Sequence, residues 1–568
     1  MRGFIIVCML LNATRLCQSH REHCKETYVS SPRDAYRDRY DKQPNIIYIM
    51  SDDMGWNDVG FHNPKVRTPH LDSLKAKGIE LMQSYTQRVC SASRAAFMTG
   101  KYPSRTGLQL LILLQETQTC LPIEHKTMFD YMKEEGYVTK YVGKWHLGYC
   151  DRSCLPEARG VDEFRGVRTG SVDYFNWTDN GVMQRQVNGV ASVENIGTHL
   201  TVQDARDARE MILDHKDNPD PLFMWISPTA PHSPLQNTEE MFAVHDFLNE
   251  TGEDTKKRRQ FLGLVSAFDD LIGDTIAALE EAELANNTII VFSPDNGGAN
   301  PSSRFGSSDH LANNYPLRNG KWTFMEGGVR IPTIYYDPRL HPSTRGTTRN
   351  FLVHVTDWLP TFVQLARRGL KSSNFNISDI DGRSQLANLG SRYNCRRKRR
   401  YNIRHKILVD LTDATNNFGN PNPCADEDAA FRWKDYKLVY GNQYYGKDPD
   451  TIPTEWTKPQ ESPELPDIFG DNCHRIVNGE RVVRCLFNVI DDPSETRNLY
   501  DEKPAVVARI LHMIQTARQA AVKAYFRLPL PVNDTTTQPF EGFRVPRHDY
   551  CIPSMHFPLE PANPSCYQ

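Results

Sequence analysis

The residue with the most chemical potential in this chain is Cys90, in the run Cys90-Ser91-Ala92-Ser93-Arg94. A thiol at the start of a helix, four residues ahead of an arginine, is a setting for a low-pKa nucleophile. Read alone, the fragment fits a small buried cysteine as well. Two oxygen-bearing pairs stand elsewhere: Asp52-Asp53, one residue (Ser51) beyond the apolar run IIYIM, and Asp295-Asn296 directly after TIIVFSP. Four hard oxygen donors from two separate places suit Ca²⁺ or Mg²⁺ better than zinc, which favours nitrogen and sulfur. Either pair taken alone reads first as a turn or a cap. Lys144 and His146 lie two apart in GKWHLG, so on an extended segment they share a side. His232 sits in APHSPLQ and Lys321 in NGKWTFMEGG. Histidine titrates near about 6.5 and can serve as acid or base, while lysines in a closed site favour an anionic ester. Singly, these lysines read as solvated surface charges and the histidines as hydrogen-bonded structural residues.

Elements able to bring these groups together are visible in the apolar patterning. Residues 46–50, 137–142, 221–228 and 288–294 read as buried strands, with helical segments near 71–77, 95–99, 127–135 and 255–283. Alternating buried strands and helices predict an α/β fold with a large, mainly parallel or mixed sheet flanked by helices. In such sheets, ligands gather beyond the carboxyl ends of the strands. Each of the four strands runs out into one of the candidate groups. Near Cys395 the composition changes, through the basic run RRKRR at 396–400, to Pro-rich loops, the short strands YKLVYG and CLFNVI, and a helix over 504–526. The division expected is therefore a leader over 1–19, a catalytic domain over 20–395 and a smaller α+β domain with a loop-rich tail over 396–568. No internal repeat is present.

At 568 residues the chain is long enough for two to four domains. Its formal net charge of −3 disfavours a dedicated nucleic-acid binder. No apolar run approaches the roughly 18 residues of a membrane-spanning helix. Arg2 followed by FIIVCMLL is a secretory leader pattern, with cleavage near Cys17 to Ser19. Setting aside Cys8, Cys17 and Cys90 leaves Cys24, Cys120, Cys150, Cys154, Cys395, Cys424, Cys473, Cys485, Cys551 and Cys566, enough for five bridges in an oxidising compartment. Their pairing stays open. Sequons at Asn176, Asn249, Asn286, Asn376 and Asn533 fit the same route. The basic run at 256–259 reads as a solvated face or helix end. That at 396–400 reads as an exposed linker, a convertase site or a polyanion contact. The apolar run at 108–115 and the helix face at 507–514 read as core.

The segments SDDMGWNDVGFH, RTPHLDSL, TGLQ, GKWHLG, APHSPLQ, DNGG and PLRNGKWTFMEGGVR occur in this order around the Cys90 run. Together they resemble the sulfatase family, whose signature is C-x-P-S-R. The resemblance is dense over about 44–365, looser in the smaller domain through LFNVIDDPSETRNL, and nearest to the arylsulfatase B (N-acetylgalactosamine-4-sulfatase) type. It implies an alkaline-phosphatase-like fold and conversion of Cys90 to Cα-formylglycine by a formylglycine-generating enzyme. One hydroxyl of the aldehyde hydrate would attack sulfur, and the other would expel sulfate by re-forming the carbonyl. The resemblance further implies that Asp52, Asp53, Asp295, Asn296 and the modified Cys90 hold one Ca²⁺, with Mg²⁺ second. Arg94 would orient the hydrate, and Lys144 and Lys321 would bind sulfate. His146 would hydrogen-bond the hydrate, and His232 would contact sulfate and protonate the leaving alcohol. The implied substrate is a sulfated carbohydrate, such as a glycosaminoglycan, or an aryl sulfate; the implied location is lysosomal or extracellular. Ala92 stands where the family's usual proline would be, and the loop from Gly298 to Pro316 is long. Two alternatives accompany this reading: a phosphoester hydrolase of the same superfamily, and a silent glycan-binding protein.

Overall fold

The computed structural model describes residues 42–110, 112–115, 117–248, 253–300, 311–367, 377–390, 404–412, 428–441, 473–477, 480–522, 537–540 and 543–546. The leader, the run at 396–400, the sequons at Asn249, Asn376 and Asn533, and Cys24, Cys395, Cys424, Cys551 and Cys566 lie outside them.

Asn45–Ser51 is the centre of a ten-stranded sheet. It pairs in parallel with Leu222–Ser227 on one side and Thr288–Pro294 on the other. Val138–Lys144 and Glu163–Val167 continue the parallel run beyond Leu222–Ser227. Short strands close both flanks: antiparallel Ile334–Tyr336 and Ile79–Leu81, then Thr347–Arg349 in parallel at the edge, on one, and antiparallel Arg185–Val187 and Val190–Ala191 on the other. The predicted mixed α/β sheet is thus observed, and the four expected strands lie within two residues of their predicted limits. The outer strands are not legible in the sequence, because strands of two or three residues carry no measurable periodicity.

Alternation along each central strand feeds two separate cores. Ile46, Tyr48 and Met50 join Phe223, Trp225, Ile289 and Val291 on one face, beneath the helices Cys90–Thr99, Met128–Glu134 and Trp358–Ala366. Ile47 and Ile49 join Leu222, Met224, Ile226, Ile290 and Phe292 on the other, beneath Pro69–Lys77, Leu200–Leu213 and Glu253–Glu281. Burial on both faces explains why these strands read as continuous apolar runs. The basic run at 256–259 departs from its expected solvated face. Lys256 is exposed, but Arg258 is buried and pairs with Asp58 at 2.7 Å, drawn in because that carboxylate lies in the packed loop after the first strand.

A second, antiparallel sheet of five strands runs from Lys406–Thr412 to Glu480–Asn488, with His474–Val477 at its edge. The helix Pro504–Arg518 covers one face through Val507, Ile510 and Ile514. The other face, with Ile407, Val409, Val439 and Phe487, packs against Tyr85, Phe324, Met325 and Val329 of the large domain. Cys120 bonds to Cys154 and Cys473 to Cys485, and Cys150 is also disulfide-bonded. No helix among the described residues is long and apolar enough to cross a membrane.

Candidate active site

Register decides which side chains meet. Ser51 lies opposite Pro294, and Ser227 opposite Gly143, so the carboxyl ends of these strands finish level. Asp52, Asp53, Lys144 and Asp295 emerge there together. The chain turns sharply at Asp53, whose φ is 64°. Helix Cys90–Thr99 starts at the same edge, after the extended Val89. Its small residues let the whole helix sink into the protein, and all ten residues are buried. The loop carrying Lys321 arrives by close backbone contact. A Cβ on Gly297 would lie 1.9 Å from the Gly327 carbonyl oxygen, so DNGG and MEGG pack main chain on main chain. The Lys321 amide donates to the Gly298 carbonyl at 3.1 Å.

Three carboxylates and three cations interlock at this edge. Lys144 Nζ contacts Asp52, and Lys321 Nζ lies 2.7 and 2.8 Å from the two oxygens of Asp53. Arg94 donates through Nε and Nη2 to Asp295 at 3.2 and 3.1 Å, and through Nη1 to the Lys144 carbonyl and Ser227 Oγ at 2.7 and 2.9 Å. Burial raises the cost of charge on Asp52 and Asp53, yet Lys144 and Lys321 respectively, with His232, hold both carboxyls below their usual range. Asp295 is pushed up to about 6 by burial and by the neighbouring Asp52 carboxylate, against the pull of Arg94 and Lys144.

Donor atoms of Asp52, Asp53, Cys90 and Asp295 all lie within 4.8 Å of one another. Asn296 gives its Nδ2 to Asp53 at 2.7 Å and to the Gly297 carbonyl at 3.0 Å, and its buried Oδ1 has no partner among the described residues. A buried orphan acceptor beside three carboxylates is what a hard cation would complete, so this residue set fits a divalent ion.

The Cys90 thiol departs from the low-pKa expectation. Its Sγ lies 3.6 Å from Asp52 Oδ1, and burial, with Asp295 beside it, pushes the thiol well up despite Lys144 and Lys321. Arg94 does not rescue it, because that guanidinium is committed to Asp295. Unmodified, the sulfur is a poor nucleophile.

Both histidines stand at the edge, each held in one tautomer. His146 Nε2 donates to the Leu113 carbonyl at 3.0 Å, leaving Nδ1 buried and without a partner among the described residues. Its ring lies on Gly170, where an added Cβ would come within 2.5 Å of it. Its φ of 57° ends the extended run, so the same-side argument for Lys144 and His146 does not hold. Burial first, then Lys144 and Arg94, keeps His146 neutral. His232 donates from Nδ1 to the Ser233 carbonyl at 2.6 Å, so Nε2 faces Asp53 Oδ2 at 3.5 Å. Its side chain is 15% exposed, and burial lowers it to about 4, against Asp53.

The sequence reading omitted Ser227, Leu113, Gly170 and Tyr174, whose hydroxyl donates to the His232 carbonyl at 2.8 Å. Ser227 ends a predicted strand, so the strand-end rule identifies its position. Leu113 acts through its backbone, which residue type cannot announce.

The sulfatase family description matches residues 44–368. Arylsulfatase J of Mus musculus is 31% identical over 510 residues, covering 88% of this chain and 79% of that protein. The chain belongs to the sulfatase family. N-acetylgalactosamine-6-sulfatase of Homo sapiens is 30% identical over 346 residues, spanning 57% of this chain and 62% of its own length. The crystal structure of Ps i-CgsB in complex with k-i-k-neocarrahexaose superposes with a TM-score of 0.64 at 25% identity, covering 84% of this chain and 94% of the other. This sulfatase is accordingly a sulfuric ester hydrolase, and the expected family and fold both hold.

Proposed function

We propose that the chain hydrolyses sulfate monoesters of a sulfated glycosaminoglycan, such as N-acetylgalactosamine 4-sulfate, using a formylglycine made from Cys90 and one bound Ca²⁺. The observation that carries the reading is the cluster of Asp52, Asp53, Cys90 and Asp295 donors within 4.8 Å, beside the orphan Oδ1 of Asn296. Oxygen donors and the carboxylate count favour Ca²⁺, with Mg²⁺ second. When bound, the cation supplies Lewis-acid polarisation of a sulfate oxygen. The aldehyde hydrate supplies a nucleophilic oxygen that the raised thiol does not.

The chain's own groups do the rest. Arg94, anchored on Asp295, presents fixed positive charge behind residue 90. Lys144, resting on Asp52, and Lys321, resting on Asp53, offer ammonium groups to the sulfate. The bare Nδ1 of His146 accepts a proton from a hydroxyl at residue 90, because Nε2 already donates to Leu113. His232 Nε2 carries the proton for the leaving alcohol; an anionic ester raises its readiness to hold one. The domain division at 395/396 and the arylsulfatase B type belong to the same reading. So does maturation by a formylglycine-generating enzyme in the secretory pathway, with lysosomal or extracellular delivery. The disulfides and the exposed Asn176 and Asn286 are consistent with that route.

The test is the intact mass of the Cys90 peptide from protein made in a eukaryotic secretory host. A loss of about 18 Da relative to cysteine is expected. It should accompany release of sulfate from an aryl sulfate far faster than phosphate from the matching aryl phosphate. An unmodified thiol in protein that still turns over the sulfate would overturn the formylglycine reading.

A further inference from the structure

Lys321 does not stand on a regular element. It sits in the 316–330 loop, whose far end is closed by the short helix Glu326–Val329 and in which Asn319 and Trp322 take φ of 57° and 75°. Such a loop needs external support to hold an ammonium at a fixed place. The support comes from the smaller domain. Glu495, wholly buried in the segment LFNVIDDPSETRNL, accepts the Glu326 amide on Oε2 at 2.7 Å. Its backbone carbonyl accepts Arg318 Nη1 at 2.6 Å. The adjacent Ser494 hydroxyl donates to the Pro316 carbonyl at 2.7 Å. Lys437 Nζ then lies between the two acids, 2.6 Å from Glu495 and 2.9 Å from Glu326, and the Tyr85 hydroxyl donates to the other Glu326 oxygen at 2.6 Å.

Within the loop, the Gly327 amide donates to the Arg318 carbonyl at 2.8 Å, and the Gly297 amide to the Gly328 carbonyl at 3.0 Å. Glu495 thus grips both feet of the loop whose crest carries Lys321, and that loop touches the residue beside Asn296. A second tie lies on the other flank. Arg88 pairs with Asp410 of the smaller domain at 2.6 Å; its carbonyl accepts the amide of Trp322, next to Lys321, at 2.8 Å, and its Nη1 donates to the Trp322 carbonyl at 3.3 Å.

We infer that Glu495 is a positioning residue: from the smaller domain it fixes the 316–330 loop and so sets where the Lys321 ammonium meets the substrate's sulfate. The inference rests on the reading of Lys321 as a sulfate ligand. The smaller domain then serves the reaction directly, and does more than cover the sheet edge.

The experiment is a double-mutant cycle on the full-length purified protein, with an aryl sulfate as probe. Cys90 conversion is measured by mass in every variant, and rates are normalised to it. Glu495→Ala is expected to raise KM about ten-fold with kcat within about three-fold, and Glu495→Gln, which keeps the shape and an acceptor for the Glu326 amide, to recover most of the loss. In a Lys321→Ala background, itself expected to lose about a hundred-fold in kcat/KM, Glu495→Ala should cost nothing further, because the group it positions is gone. Equal fold-losses from Glu495→Ala in both backgrounds, or a lowered Tm with unchanged KM, would overturn the inference while leaving Lys321 as ligand. A Lys321→Ala protein with unchanged kcat/KM would instead remove the sulfate reading of Lys321, and this inference with it. Should Glu495→Ala fail to accumulate, Glu495→Gln carries the same cycle, with additivity as the overturning result.

Discussion

Two buried clusters of charge lie close together in this protein and are built to opposite ends. At the strand ends, Lys144 and Lys321 rest on the carboxylates that a divalent cation would also bind, and Asn296 Oδ1 has no hydrogen-bond partner among the described residues. At the domain boundary, Glu326 and Glu495 are ion-paired through one shared Lys437, with Tyr85 and the Glu326 amide taking further oxygens. The first cluster is short of ligands and free to exchange them. The second is tied by the ion pairs of Lys437 to both acids and holds geometry. Buried charge therefore marks a site only where its inventory of partners is incomplete.

The largest effect that tests this contrast falls on residue 90. Cys90→Ala should cut aryl sulfate turnover by about a thousand-fold or more while the fold survives, since a small buried side chain is replaced by one of similar bulk. A loss below ten-fold in steady-state assays would place the reaction elsewhere. Removal of divalent cations by a chelator should follow. Activity is expected to fall by about a hundred-fold, and Ca²⁺ at 100 times its Kd should return about 3 kcal/mol of stability. A melting temperature indifferent to chelator and Ca²⁺ would mean that the strand-end cluster is as self-satisfied as the boundary one.

The boundary cluster should respond in stability first. Lys437→Met strips two buried carboxylates of their shared cation and is expected to cost about 3–5 kcal/mol in denaturant unfolding. A cost below about 1 kcal/mol would show that the cluster relaxes or admits water. The smallest effect is a pH dependence. Burial pushes Glu495 up to about 7, with the Glu326 carboxylate opposing its ionisation, while Lys437 and its neighbours keep Glu326 low. The folded state then binds a proton that the unfolded state releases near its ordinary value, so stability falls as pH rises from about 4.5 to about 7 and is level above. The expected span is on the order of 1–3 kcal/mol, and Glu495→Gln should flatten it; a span unchanged in that variant would assign it to another group.

Most of the candidate site was legible before any coordinates. The continuous apolar runs before Asp52 and Asp295 identify buried parallel strands, and their carboxyl ends are where such sheets place ligands. The ordered motifs indicated the family. What misled was local reasoning about single residues. Arg94 four residues after Cys90 suggested an activated thiol, but its guanidinium is spent on Asp295, and desolvation lifts the thiol instead. Arg258, in a run of basic residues, is drawn inward by Asp58 from a loop about 200 positions away in the chain.

Side-chain type and a period of two are enough to name the chemically capable residues and the strands that deliver them. Tertiary structure alone decided the partners: that Asn296 keeps a bare Oδ1, that Leu113 and Ser233 carbonyls choose the tautomers of His146 and His232, and that Glu495 braces the loop of Lys321. The separations run from one residue, for His232 and Ser233, through 33 for His146 and Leu113, to 169 for Glu495 and Glu326 and 243 for Asn296 and Asp53, and the groups taken up are largely backbone atoms. No local pattern encodes them, since each exists only once the sheet register and the domain contact have formed.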